Sequence, residues 1–335
     1  MTNKLYNNKF KILKENLYFV IAIIIVALTF IPFPYYINAP GGIVDLDDKI
    51  NIDNEYKSKG SFNMSYVSEY RANIFTLLYA SLNPNFDIYS KDEYLASNDT
   101  NKTMNIREDL ELDSSVDNAI ILAYTKANEK IDILDTKIYA TYIYEEADTT
   151  LVVGDQITSI NGIKVSNTND ISNILSALNV GDKLDIKVIN NKKTYHRKAS
   201  IISVNDRKLI GIYTTLHTDY NVDRKIDVKF KKNESGPSGG LMLSLEIYNE
   251  LVSEDLTKGY KIAGTGTIDT YGNVGSIGGV KYKLKGAVKK KADIFFVPAG
   301  DNYEEALKEK NEHGYKIEVV SISSFDDALN YLKNL

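Results

Sequence analysis

The run LYFVIAIIIVALTFIPF, Leu17 to Phe33, constrains this chain more than any other stretch. It carries no charge and one polar residue, Thr29, so protein or lipid must cover it. Roughly 20 residues cross a bilayer as a helix, and with Pro34, Tyr35 and Tyr36 the run reaches that length. Lys4, Lys9, Lys11 and Lys14 precede it, and Asp45, Asp47 and Asp48 follow. The positive-inside rule then predicts a cytoplasmic N-terminus at 1–16, a retained transmembrane helix at 17–36, and a remainder that is extracellular and held at the cell membrane. A cleaved signal peptide is the competing reading. The run is longer than a usual signal core, and PFPYY lacks the small residues of a cleavage site.

The remaining 300 or so residues have the composition of globular domains, with 43% hydrophobic and 25% charged residues over the whole chain. A formal net charge of -5 gives no reason to expect nucleic acid as a partner. There is no cysteine, and His196, His217 and His313 are scattered, so neither a metal centre nor another cofactor is expected. No GxxxxGK[ST] loop is present, which argues against a nucleotide.

From about Ile131 the pattern becomes one of short strands, with a helix-like segment at NDISNILSAL. Asn161-Gly162 between apolar runs is a hairpin signal, because both residues tolerate positive φ. The stretch LVVGDQITSINGIKV resembles the core of a PDZ domain at Gly154, Asp155, Ile157, Ile160, Asn161 and Gly162. That resemblance implies peptide binding by strand addition. The groove would lie between the strand Ile138–Ile143 (Ile138, Tyr139, Ala140, Thr141) and the helix 170–178 (Ile171, Ile174, Leu175). The segment ahead of that strand, DILDTK, lacks the glycine loop usual in the family. A barrel that only packs and links is the alternative.

NESGPSGGLMLSLEIYNELV sets Ser238 at the head of a helix marked by Leu241, Leu245, Tyr248 and Val252. Alone, the serine reads equally as an N-cap. A nucleophilic serine needs a base, and no histidine stands in a recognisable signature. A desolvated lysine serves instead. The candidate is Lys281, after Gly278-Gly279 and in the first turn of a helix with the apolar face Val280, Leu284, Ala287 and Val288, where the macrodipole repels a cation.

Gly236, Pro237, Ser238, Gly239 and Gly240, with Thr265, Gly266, Gly272, Ile277, Gly278, Gly279 and Lys281, resemble the proteolytic domain of Lon-type serine proteases, which use a Ser-Lys dyad. Ser238 and Lys281 stand 43 residues apart, a spacing that family favours. As a whole the chain is similar to the membrane-anchored, PDZ-containing Lon-like serine proteases of Gram-positive bacteria, the peptidase group that includes the pheromone-processing SepM proteases. The resemblance implies an α+β fold: a transmembrane helix, a protease formed by 37–127 and 216–335, and an inserted PDZ domain at 128–215. It implies an ATP-independent serine endopeptidase that cleaves secreted peptides or exposed segments of membrane proteins. Ser238 and Lys281 would be catalytic, Ser235 would contribute to the oxyanion site and Thr265 would orient the lysine. A catalytically silent, anchored peptide-binding scaffold is the alternative.

Overall fold

Pro32 and Pro34 decide where the first helix ends, since the ring of each removes a backbone donor and disfavours helical geometry just before it. In the computed structural model, which describes residues 16–95, 99–231 and 234–335, helix α1 runs only from Leu17 to Thr29. Thirteen residues rise about 20 Å, against a hydrocarbon core of about 30 Å. Among the described residues no helix is long and apolar enough to cross a membrane, so the expected transmembrane helix at 17–36 is not formed. The expected cytoplasmic segment lies outside the described residues apart from Asn16.

The chain divides into two units. The smaller takes in residues up to Pro40 and Ser68–Tyr94. In it the start of β1 (Tyr35–Asp45) pairs antiparallel with β3 (Asp87–Ser90), and Ile37, Ala72 and Ala80 make a small core. Helix α2 (Ile74–Ser81) begins at Asn73, whose side chain accepts from the amides of Phe75 and Thr76.

The larger unit, Gly41–Val67 and Leu95–Leu335, is built on two main sheets, with three two-stranded ribbons beside them among the described residues. The first is parallel, in the order β11-β10-β9-β2: Glu318–Ile322, Ile294–Pro298, Lys261–Gly264 and Ser61–Arg71. Strand β10 is buried on both faces, which is why IFFVP reads as an unbroken apolar run. Ile294 and Phe296 face a core shared with α3 (Asn101–Lys126), α5 (Gly240–Leu251) and α8 (Phe325–Lys333). Phe295 and Val297 face a second core with α6 (Val280–Lys289) and α7 (Asp301–His313). The first core draws on Leu46 to Tyr124 and on Leu241 to Leu332, from both sides of the intervening sheet.

Helix α3 is much longer than the helix 116–127 that the apolar spacing suggests. Thr100 and Thr103 form a reciprocal capping box, which starts it at Asn101. The second sheet is antiparallel, in the order β8-β4-β5-β6-β7: Ile212–Val222, Ile131–Ile143, Gln156–Ile160, Lys183–Asn190 and Lys193–Ser200. It encloses its own core of Ile138, Ile157, Ile160, Leu184, Ile186 and Val188, with α4 (Thr168–Ser176) packed on it.

Candidate active site

Ser238 sits in a single 3-10 turn, Pro237–Gly239, that runs directly into α5. Gly236 ahead of it adopts φ +87, which a residue with a Cβ resists, so the chain can turn sharply into the helix. Two neighbours hold the turn. Ser115 Oγ of α3 donates to the Pro237 carbonyl at 3.1 Å, and the Gly266 amide donates to the Ser238 carbonyl at 2.8 Å. The Ser238 side chain is therefore not a helix cap: no side-chain cap bond closes the start of α5.

The lysine at Ser238 is Lys283. Its Nζ donates to Ser238 Oγ at 2.8 Å and to Thr265 Oγ1 at 3.1 Å. Thr265 Oγ1 in turn donates to the Ser238 carbonyl at 3.0 Å, so one hydroxyl fixes both residues. Lys283 is 4% exposed and Thr265 fully buried, while Ser238 is half-buried. Lys281 faces elsewhere, with its Nζ 4.9 Å from the Tyr282 ring centroid and its amide bonded to Glu305 of α7. The reason is helical geometry. Val280, Leu284 and Ala287 form the buried face of α6; Lys283 lies three residues after Val280 and four before Ala287, and Lys281 does not share that stripe.

Ser235 is exposed, and its Oγ donates to Glu108 Oε2 at 2.8 Å, so its side chain is engaged by α3. Beside Pro237 a cavity of about 590 Å³ is lined by Arg107 and Glu111 of α3, Tyr142 of β4, Tyr213 and Thr215 of β8, and Ile268.

The expected peptide groove along Ile138–Ile143 is closed. Strand β4 is paired on both edges, Ile138 with Leu216 of β8 and with Ile157 of β5. Ile138, Ala140 and Thr141 are buried and Tyr139 is half-buried. On α4, Leu175 is buried, while Ile171 and Ile174 are partly exposed on the core of this sheet. β8 is one of the sheet's two edge strands, and the loop ahead of it carries Gly211 at φ +81, where an added Cβ would stand 2.6 Å from Ala147 Cβ. Ile212 and Leu216 are half-buried on the same core as Ile171 and Ile174. Toward its far end β8 is covered by α3: the Thr218 amide donates to Asp117 Oδ2 at 2.9 Å, and His217 Nδ1 stands 2.6 Å from the same oxygen. That pairing raises the His217 pKa above its ordinary value.

Residues 199–333 match the family described as the Lon protease (S16) C-terminal proteolytic domain. A Lon protease of Campylobacter jejuni is 35% identical over 99 residues, which make up 29% of this chain and 12% of that protein. The chain thus spans only a small part of the length of that curated relative. Among solved structures, the PDZ domain of an SdrC-like protein from Listeria monocytogenes is 21% identical, with 23% of this chain and 85% of that one covered and a TM-score of 0.22. The second domain of another Listeria protein is 24% identical, covering 25% and 84%, with a TM-score of 0.21.

Proposed function

We propose that this chain is a serine endopeptidase whose nucleophile is Ser238 and whose general base is Lys283. The observation that carries the reading is the 2.8 Å contact between Lys283 Nζ and Ser238 Oγ in a buried setting. The likeness of residues 199–333 to the Lon proteolytic domain supports it. Burial disfavours the ammonium form, and the neutral amine is the form a base requires. Ser238 Oγ attacks the peptide carbonyl carbon as its proton passes to Lys283 Nζ. Collapse of the tetrahedral adduct breaks the C–N bond, and Nζ returns the proton to the leaving amine. Water then attacks the acyl-enzyme, giving its proton to Nζ, and Ser238 regains a proton as the acid departs. The start of α5 supplies the positive end of a helix dipole, where an oxyanion gains most. Thr265 holds the lysine on the serine.

The substrate is an unstructured peptide or an exposed segment, cleaved without ATP. It enters by the cavity beside Pro237, with the unpaired edge of β8 from Ile212 to His217 offering backbone groups for strand addition. The test is mass spectrometry of a mixture of unstructured peptides after incubation with the full chain or its Ser238→Ala variant. New internal cleavages with the wild type and none with the variant are expected. Identical profiles would overturn the peptidase and leave a peptide-binding scaffold.

A further inference from the structure

Helix α5 carries two glutamates one turn apart, Glu246 and Glu250, on a helix that is buried nearly all round. They are 2% and 1% exposed. Glu246 Oε2 and both oxygens of Glu250 are enclosed with no donor from the rest of the protein, and the two carboxyls have only each other as a hydrogen-bond partner. A buried polar atom without a partner costs about 1–3 kcal/mol, and a charged one more, so three such oxygens at one place are an arrangement a fold avoids unless something else binds them. A third carboxylate stands over the pair: Asp47, which is exposed, offers an oxygen within 4.8 Å of both.

We propose that Asp47, Glu246 and Glu250 bind a divalent cation, with calcium the best fit. All three donors are hard carboxylate oxygens, which suit calcium or magnesium over softer metals. The donor oxygens all lie within 4.8 Å of one another, close enough to share one ion. Magnesium demands near-ideal octahedral geometry and dehydrates reluctantly, whereas calcium accepts flexible carboxylate sets, so this group suits calcium, with water completing the shell on the exposed Asp47 side. The surroundings agree. Burial, followed by repulsion from Glu55 and Asp47, pushes the Glu250 carboxyl up to about 7. Burial, followed by Glu250, Asp47 and Asp45, pushes Glu246 up as well. Lys57 faces the cluster, with its Nζ 3.1 Å from Asp47 and 2.5 Å from Glu55. Lys57 is 63% exposed, so it can swing away when an ion arrives, and it competes for Asp47 until then. The site lies in the helix that begins next to Ser238 but touches neither Ser238 nor Lys283; it therefore stands independently of the peptidase reading.

Calcium alone, titrated into the chelator-treated full chain, tests this by calorimetry and by thermal unfolding. The Ser238→Ala background keeps the result free of any proteolysis. Expected are saturable binding of one ion per chain and a melting temperature that rises with calcium. Glu250→Gln should weaken binding at least tenfold, and Glu246→Gln likewise. If either variant fails to fold, Lys57→Ala decides: removing the competitor should tighten binding about threefold or more. No rise in melting temperature at about 10 mM calcium, an undiminished rise in Glu250→Gln, or unchanged or weaker binding in Lys57→Ala would each overturn the proposal.

Discussion

Helix α5 meets buried polar chemistry at two places, and they differ in one respect. At its start, Lys283 donates to the hydroxyls of Ser238 and Thr265, and Thr265 donates to the Ser238 carbonyl, which closes a circuit of three residues. Two to three turns later, Glu246 and Glu250 lie as deeply buried with oxygens that no group outside the pair satisfies. A satisfied buried network is rigid and ready to act; an unsatisfied one marks a place for an ion. The two ends should therefore answer mutation in opposite ways. Deleting a member at the first should only harm, whereas neutralising a carboxyl at the second should help when no cation is present.

The largest effect separates the two lysines. Lys283→Ala should lower kcat/KM for a cleaved peptide by about a thousandfold or more, roughly 4 kcal/mol at the transition state. Lys281→Ala should stay within about threefold of the wild type. Steady-state rates on one peptide measure both, and a dead Lys281→Ala beside an active Lys283→Ala would reverse the assignment.

Glu250→Gln in excess chelator at neutral pH comes next. Burial makes the wild type hold at neutral pH a carboxyl that would be ionised in the unfolded chain, a cost an amide avoids, so the variant should gain about 1–3 kcal/mol, seen as a raised melting temperature. A loss of stability would mean that the carboxylate has a partner and the comparison fails. Thr265→Val tests the other end at smaller scale. Removing the hydroxyl leaves the Ser238 carbonyl and Lys283 Nζ each short of one bond, worth about 1–2 kcal/mol. The effect should fall on kcat, by about tenfold, with KM little changed, because Thr265 positions the base and does not meet substrate. A change in KM alone would reassign it to binding.

Much of this was legible from the residues. The stretch around Ser238 reads as a glycine-rich turn before a helix, and that is where the turn and α5 are found. The lysine register was legible too, but from a different cue. Family spacing selects Lys281, whereas the apolar face Val280, Leu284 and Ala287 selects Lys283, and packing obeys the second. Glu246 and Glu250 were hidden because one stripe of α5, Leu241 to Val252, already accounts for a half-buried helix. The parallel sheet, α3, α8 and the segment around Leu46 share the core with α5, and those contacts are non-local. The same holds for the peptide edge. Gly154 to Gly162 marks the small sheet, yet the strand at its edge, β8, follows some fifty residues later, and no local pattern says that it covers β4. The apolar run at Leu17 was plain, but its length as a helix is set by where folding stops, at Thr29.

The smallest effect sharpens the comparison from a third, intermediate place. His217 of β8 is half-buried with its partner present: Asp117 first, then Asp113, raise its pKa against opposition from burial and Lys137, and Asp219 Oδ1 lies 3.8 Å from Nε2. A raised folded pKa means that the protonated form is favoured in the folded state. The pair's contribution is then full below about pH 6.5 and fades as pH rises through the higher folded value. With its side chain 36% exposed, solvent screens much of it, so well under about 1 kcal/mol is expected. The difference in melting temperature between wild type and His217→Gln should be positive near pH 6 and shrink toward pH 8.5. A difference that does not change with pH would show that β8 is held to α3 by packing and by the Thr218 amide bond to Asp117, with no part for the charge.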